Sequence, residues 1–127
     1  MYKFILPIYG VAPESALTVS WYRNAHYHAS NKAKKKFKIL IKDQLDSFDK
    51  IDGQIKIKYT YYAQRNNNPD LDNFIGTVKK FFQDALVESG LLHDDNVNCI
   101  CGNKEDYGGI DRNNPRVEAV IIPVNDY

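Results

Sequence analysis

Residues 69–97 constrain the fold of this chain more than any other stretch. Pro69 disfavours a helical conformation in the residue before it, and Ser89-Gly90 is a helix stop signal. Between these signals, apolar residues recur at spacings of three and four, as on the buried face of an amphipathic helix. These residues are Leu71, Phe74, Ile75, Val78, Phe81, Phe82, Ala85 and Leu86. The sequence therefore predicts one long helix that packs against a core.

Two pairs of aspartates flank this predicted helix. Asp70 and Asp72 lie at its start, where Asp70 can cap the helix, and Asp94 and Asp95 follow its end. The two pairs can meet only if the chain after Gly90 turns back or a strand carries the second pair alongside the first. Gathered carboxylates repel one another unless a cation neutralises them. We therefore expect a divalent-metal site, with helix caps and solvated turns as the alternative.

The ligand chemistry indicates which metal this would be. Carboxylate oxygens without clustered histidine or cysteine favour Mg²⁺, with Mn²⁺ also possible. Such ions activate water and stabilise charge in phosphoryl transfer. Two other ligand sets, His26 with His28 and His93 with Cys99 and Cys101, lack the ligand number or spacing of a zinc site.

Length and composition predict one soluble domain. The chain has 127 residues, of which 43% are hydrophobic and 26% charged, so it can bury a core of its own. No run approaches the roughly 20 apolar residues of a membrane span, and no secretory signal is visible at the N-terminus. A cytoplasmic location is expected, and Cys99 and Cys101 are expected to be reduced because their spacing is poor for a disulfide.

The net charge is only +1, but it is distributed unevenly. Up to Arg65 there are 12 Lys/Arg against 5 Asp/Glu, and after it there are 5 against 11. Six lysines fall between residues 32 and 42, before the next acid at Asp43. A lysine-rich helix face is often simply solvated, but ordinary surfaces mix both signs. The separation predicts a basic half that binds a polyanion and an acidic half that binds a metal.

The remaining patterns complete the fold prediction. We expect strands at residues 2–8, 54–62, 96–102 and 116–124, and a second helix at residues 31–48. Residues 18–22 form a short strand or an extended arm, residues 23–31 a surface loop, and residues 103–115 a hairpin loop. The order predicts a single α+β domain of two layers, in which a mixed β-sheet packs against two main helices.

Several short motifs follow one another within residues 68–97. They are Asn68-Pro69-Asp70-Leu71-Asp72-Asn73, Asp84-Ala85-Leu86, Gly90 and Asp94-Asp95-Asn96-Val97. Together they resemble the signature of the RusA family of Holliday junction resolvases. The resemblance implies a Mg²⁺-dependent, structure-selective endodeoxyribonuclease of DNA recombination and repair, often encoded by phages or prophages. Such an enzyme acts as a homodimer and resolves four-way DNA junctions by paired phosphodiester hydrolysis.

The resemblance also assigns the site residues. It implies that Asp70, Asp72 and Asp95 bind Mg²⁺ and carry catalysis, with Asp94 beside them. The family usually has a lysine four residues after the second aspartate, where this chain has Gly76.

Two lysines can replace the missing one. Lys79 shares the helix face of Asp72 about two turns on, whereas Lys80 is rotated from it by roughly 80°. Counting back from Asp84 selects Lys80 instead. We favour Lys79 as the catalytic lysine, and the alternative is that both lysines only solvate the helix surface.

Basic side chains elsewhere are the expected phosphate contacts, which position DNA without reading its sequence. They are Arg23, Lys32, Lys34, Lys35, Lys36, Lys38, Arg65 and Lys80. Tyr27, Tyr61 and Tyr62 are candidates for stacking on unpaired bases, with burial in the sheet as the alternative. Two other functions stay open: a non-catalytic nucleic-acid-binding module, and a metal-dependent nuclease that acts on another nucleic acid.

Overall fold

Four strands and four helices build the chain in the computed structural model, which describes residues 2–13, 15–66 and 70–124. Asn68 and Pro69 of the first motif lie outside the described residues. In order, the elements are β1 (Tyr2–Pro7), α1 (Val19–Asn24), α2 (Tyr27–Leu40), α3 (Lys42–Asp46), β2 (Ile55–Ala63), α4 (Leu71–Glu88), β3 (Ile100–Ile110) and β4 (Arg116–Pro123).

The strands form one mixed sheet in the order β1-β4-β2-β3. β4 pairs antiparallel with β1 and β2, whereas β2 and β3 are parallel. Parallel neighbours need a crossover connection, and α4 supplies it. The helices pack on one face of the sheet, so the predicted α+β fold of two layers is confirmed.

α4 occupies the centre of the core. Its Phe82 ring lies 5.0 Å from Phe4 of β1 and 6.3 Å from Tyr59 of β2. On the other side, the Phe81 ring lies 5.8 Å from Phe37 of α2. The predicted apolar stripe therefore contacts the sheet and the helix layer at the same time.

The sequence predictions for residues 18–48 were wrong in part. The expected strand or arm at 18–22 is instead the start of helix α1, which is capped by Thr18: its Oγ1 accepts a hydrogen bond from the Trp21 N–H at 3.0 Å. The expected loop at 23–31 is mostly helical, because α2 already begins at Tyr27. The expected helix at 31–48 is divided at Ile41 into α2 and α3.

β3 is longer than the sequence indicated. It begins at Ile100 and continues to Ile110, so most of the expected loop at 103–115 is strand. The expected hairpin is wrong, because β2 lies between β3 and β4 in the sheet. Gly108-Gly109 is not a turn. A Cβ on Gly108 would lie 2.6 Å from the Tyr62 ring, and Gly109 has a φ of +110°, next to a register shift between β2 and β3. Both glycines therefore serve a β-bulge within the strand.

Two expectations from composition concern cysteines and membranes. Cys99 and Cys101 carry free thiols. In the described part of the chain, no helix combines the length and the apolar character needed to cross a membrane.

The Thr77 side chain gives a prediction about stability. It is 2% exposed, and among the described residues its Oγ1 is the buried side-chain oxygen that lacks a hydrogen-bond partner. Because burying an unpaired hydroxyl is costly, we expect Thr77→Val to raise the free energy of unfolding by about 1 kcal/mol in urea titrations. Thr77→Ser keeps the hydroxyl and loses a buried methyl, so it should lower that free energy by about 1 kcal/mol. A valine variant less stable than wild type would contradict this account.

Candidate active site

Asp70 and Asp72 lie together at the N-terminus of α4. Asp70 is the N-cap residue, and its Oδ1 accepts a hydrogen bond from the Asp72 N–H at 3.0 Å. Asp72 lies in the first turn, and its side chain is exposed. Both residues line an open depression of about 460 Å³. The other lining residues are Val19, Ser20, Arg23 and Asn73.

A pair of hydrogen bonds fixes α1 against this end of α4. The Asn73 Oδ1 accepts from both the backbone N–H and the hydroxyl of Ser20, each at 3.0 Å. This contact places Arg23, almost one helical turn after Ser20, in the same depression as the two aspartates. Sequence reasoning missed Ser20, and the only signal for Asn73 was its place in the motif.

The three charged side chains of this depression are available for binding. Among the ion pairs of residues 2–13, 15–66 and 70–124, none involves Arg23, Asp70 or Asp72. A cation and a phosphate can therefore be held here without first breaking a salt bridge.

Gly76 allows α1 to approach α4 closely. A Cβ at this position would lie only 2.6 Å from the Val19 Cγ2 of α1. A lysine side chain does not fit there. The close packing of the two helices is therefore a physical reason for the glycine at the position where the RusA family has lysine.

The two replacement lysines differ in their surroundings. Lys79 reaches toward β3, and its Nζ lies 2.9 Å from the Glu105 Oε1. Seven residues separate Lys79 from Asp72, which is about 10 Å along the helix axis. Lys80 is exposed and takes part in no ion pair of the described residues. Which of them serves the site stays a prediction.

Asp94 and Asp95 lie in the loop after α4. The Asp94 Oδ1 accepts from the Asp95 N–H at 2.7 Å, and its Oδ2 accepts from the Asn96 Nδ2 at 3.0 Å. The loop is held at the C-terminal end of α4, because the Leu92 N–H donates to the Leu86 carbonyl at 3.1 Å.

The two aspartate pairs lie at opposite ends of α4 within one chain. The helix has 18 residues and is therefore about 27 Å long. It runs antiparallel to β3, since Lys79 pairs with Glu105 while Gln83, one turn later, bonds to the earlier Asn103 at 3.1 Å. The chain after Gly90 does not return to the start of the helix. Neither arrangement that would have gathered all four carboxylates is formed.

The carboxylates of a single chain supply only part of the predicted metal-binding triad. In the part of the chain that the structure describes, no group of three or more His, Cys, Asp or Glu side chains is placed to hold a metal ion. Mg²⁺, however, is commonly held by one or two carboxylates together with water and substrate phosphates. Asp70 and Asp72 supply two such oxygen donors, whereas Asp95 of the same chain is too far away to complete a triad.

Part of the predicted basic face has a structural role. The Lys34 Nζ lies 2.9 Å from the Asp84 Oδ2, and the Lys38 Nζ lies 3.3 Å from the Glu88 Oε2, so both lysines tie α2 to α4. The hydrogen bond to Asp84 raises the pKa of Lys34. The aspartate of the Asp-Ala-Leu motif thus serves helix packing.

Lys35 lines a separate depression with Lys34, Lys38 and Glu88, whereas three other basic residues line adjoining depressions. Lys32 and Lys36 of α2 face an opening of about 630 Å³, and Arg65 lines one of about 390 Å³. The two openings share Tyr9 and Ser15. Neither Lys32, Lys36 nor Arg65 takes part in an ion pair of the described residues.

The Arg65 depression lies beside the aspartate depression. Thr18 and Phe74 line the first, and their chain neighbours Val19 and Asn73 line the second. We call this path the basic groove. It is lined by Lys32, Lys36, Arg65 and Arg23 and ends at Asp70 and Asp72.

Only one of the three tyrosines proposed for base stacking is well exposed. Tyr27, at the start of α2, is 70% exposed. Tyr61 is buried against Phe74, and its burial raises its pKa to about 12. The Arg116 guanidinium lies 4.1 Å from the centre of the half-buried Tyr62 ring. Tyr61 and Tyr62 therefore belong to the sheet.

Comparison with protein families and with curated proteins identified no relative of this chain. No protein-family model matches the chain, and no curated protein matches it either. The assignment to the RusA family therefore stays a prediction that rests on the motif residues.

The close contact at Gly76 can be tested by adding a methyl group. We expect Gly76→Ala to lower the free energy of unfolding by about 1–2 kcal/mol, because the overlap with Val19 exceeds the gain of about 1 kcal/mol from helix propensity. Adding Val19→Ala to this variant removes the overlapping methyl and should recover most of the loss. Chemical denaturation of the three proteins measures both effects, and a Gly76→Ala variant as stable as wild type would refute the close approach.

Proposed function

We propose that this chain is a Mg²⁺-dependent, structure-selective endodeoxyribonuclease that acts as a homodimer on four-way DNA junctions. The observation that carries the proposal is the basic groove, which leads from α2 to two exposed carboxylates. A groove lined by cations suits a nucleic-acid backbone, and paired carboxylates suit a hard cation. The motifs of residues 68–97 follow one another in the order of the RusA signature. Among the reactions that this chemistry allows, they favour the resolution of four-way junctions.

The groove residues position the substrate. Lys32 and Lys36 contact phosphates on the side of α2, and Arg65 continues the contact toward α4. Arg23 is next to the carboxylates, where its guanidinium can donate two hydrogen bonds to one phosphate. These contacts hold the backbone without reading sequence, as expected for an enzyme that selects a DNA shape.

In this proposal, Asp70 and Asp72 would hold Mg²⁺, whereas Asp95, the third carboxylate that the motif predicts, does not reach this site within one chain. A bound Mg²⁺ supplies Lewis-acid chemistry for phosphodiester hydrolysis and lowers the pKa of a water nucleophile. Lys79 would have to leave Glu105 to reach a phosphate, whereas Lys80 is available as it stands. Asp70 keeps its helix-capping bond through one oxygen, which leaves its second oxygen for a cation.

A homodimer follows from the symmetry of the substrate. A four-way junction that is nicked on two strands presents two related phosphodiesters, and a two-fold dimer presents two related sites. One chain supplies one basic groove, so each groove would hold one arm of the junction.

A non-catalytic nucleic-acid-binding module is the second candidate. It is favoured by one observation: Asp70 caps α4, while Asp94 and Asp95 form a turn at the other end of the helix. In this case the carboxylates are structural, and only the basic groove has a function.

Asp72→Asn separates the two candidates. We expect it to reduce nicking of a synthetic four-way junction in Mg²⁺ by about 100-fold, because it removes a metal ligand and leaves the Asp70 cap in place. Asp43→Asn is the matched control, since Asp43 is an exposed acid in the first turn of α3, and it should cut like wild type. A junction left intact by the wild type, with Mg²⁺ as with EDTA, would favour the binding module. Comparable cutting of linear duplex or RNA would favour a different nuclease.

The basic groove predicts a strong salt dependence of binding. Replacing the groove residues Lys32, Lys36 and Arg65 by alanine should weaken the binding of all sequences alike. The slope of log K against log salt should fall by roughly 0.9 for each DNA phosphate that the variant no longer neutralises. Lys42→Ala is the control, because Lys42 pairs with Asp46 on α3 at 2.6 Å. An unchanged slope in the triple variant would show that DNA does not lie along α2.

A further inference from the structure

The opening that Lys32 and Lys36 face lies between a helix and a loop. α2 forms one wall with two small apolar residues and two lysines at spacings of three and four, so all four share one face of the helix. They are Ala29, Lys32, Ala33 and Lys36. The chain between β1 and α1 forms the other wall, with Tyr9, Gly10, Val11, Ala12, Pro13 and Ser15. We call this opening the α2 pocket.

The loop wall of the pocket is anchored in the core. The Leu17 N–H donates a hydrogen bond to the Ile8 carbonyl at 2.7 Å and brings the two ends of the loop together. Between them, Val11 and Ala12 are each only 5% exposed. Because the loop cannot move toward α2 without pulling these side chains out of the core, the space between the two walls is built into the fold. Its volume of about 630 Å³ lies within the range of small-molecule sites.

The pocket combines apolar walls with two available cations. Lys32 and Lys36 are exposed, and neither takes part in an ion pair of the described residues. They lie one helical turn apart, which is about 6 Å along the axis of α2. Among the described residues that line the pocket, none is acidic. The pocket therefore suits a ligand that is apolar in its middle and anionic on both sides.

A nucleotide in a DNA strand has this chemistry. Its base presents two flat faces, and a phosphate follows on each side. Within a paired duplex both faces are covered by neighbouring bases, so only a base that has left the stack can enter a pocket. Tyr9 lines the pocket and is 41% exposed, and its ring offers a surface on which such a base can stack.

The position of the pocket also favours a nucleotide. Tyr9 and Ser15 line the neighbouring opening as well, which contains Arg65. A strand with one base in the α2 pocket can therefore continue with its phosphates beside Arg65, along the basic groove. An apolar peptide in the same space would leave both lysines without anionic partners.

We propose that the α2 pocket receives one unpaired nucleobase of the DNA substrate. The base stacks on Tyr9 and lies against Ala29, while Lys32 and Lys36 hold the phosphates on its two sides. The proposal rests on the proposed function in taking DNA as the ligand, but it requires neither a metal ion nor cleavage. It gives the protein a means to distinguish DNA with opened base pairs, as at the centre of a junction, from a fully paired duplex.

Binding of three DNA duplexes in EDTA tests the pocket. One duplex is fully paired, the second has one unpaired nucleotide, and the third has an abasic nucleotide at the same position. We expect the wild type to bind the second about 10-fold more tightly than the third in fluorescence anisotropy, because the two differ only in the base that stacks. Equal affinity for these two duplexes would overturn the proposal.

Filling the pocket should remove this preference. Ala29→Leu adds a bulky side chain to the α2 wall, so we expect the affinities for the base and abasic duplexes to agree within about twofold, with binding of the paired duplex retained. Asn31→Leu is the matched control, because Asn31 is an exposed residue of α2 that lines a different opening, and it should keep the preference. A preference that persists in Ala29→Leu would contradict a base in the pocket.

Two substitutions of Tyr9 test the stacking surface. Tyr9→Ala removes the ring and should lose most of the preference for the base over the abasic site, whereas Tyr9→Phe keeps the ring and should bind like wild type. A merely structural role of Tyr9 would change the affinity for both duplexes alike. An unchanged preference in Tyr9→Ala would refute the stacking.

The nicking assay separates this proposal from the proposed function. A wild type that prefers the unpaired base but nicks no junction would refute the endonuclease and support the pocket. A wild type that nicks junctions but binds base and abasic duplexes equally would overturn the pocket alone. Failure to bind any of the three duplexes would overturn both.

Discussion

The burial of α4 is the constraint on which the other parts of the structure depend. Phe82 packs against the sheet while Phe81 packs against the helix layer, so the helix cannot be shifted or turned without opening the core. As the crossover between two parallel strands, α4 must also run antiparallel to both. This direction puts Asp72 beside the ends of β2 and β3 and puts Asp95 beside their starts.

The geometry of the candidate site follows from how closely α1 approaches α4. Gly76 removes the side chain that would hold the helices apart, and Asn73 bonds to Ser20 across the gap. As a result, Arg23 shares a depression with Asp70 and Asp72. The helix that the sequence did not predict is therefore the one that shapes the site.

The basic and acidic halves of the sequence partly neutralise each other in the folded chain, because some of their side chains form ion pairs. Lys34 and Lys38 of the basic half pair with Asp84 and Glu88 of the acidic half, and these pairs hold α2 on α4. Lys32, Lys36, Arg65 and Arg23, which take part in no ion pair of the described residues, line the basic groove. A count of charges indicates the potential for binding a polyanion, but only the partner of each side chain decides which lysines contribute.

The sequence by itself determined α4, β1, β2 and β4, because the spacing of their apolar residues, or an unbroken apolar run in β4, is a local property. It also determined that Asp70 and Asp72 begin α4. Tertiary structure decided the rest. α1 is helical although its short sequence carries no clear period, and Gly108-Gly109 forms a bulge because it packs against Tyr62. The sequence likewise placed Asp94 and Asp95 after the helix without fixing where they lie. That position depends on the direction of α4 in the sheet, which is set by contacts between residues far apart in the chain.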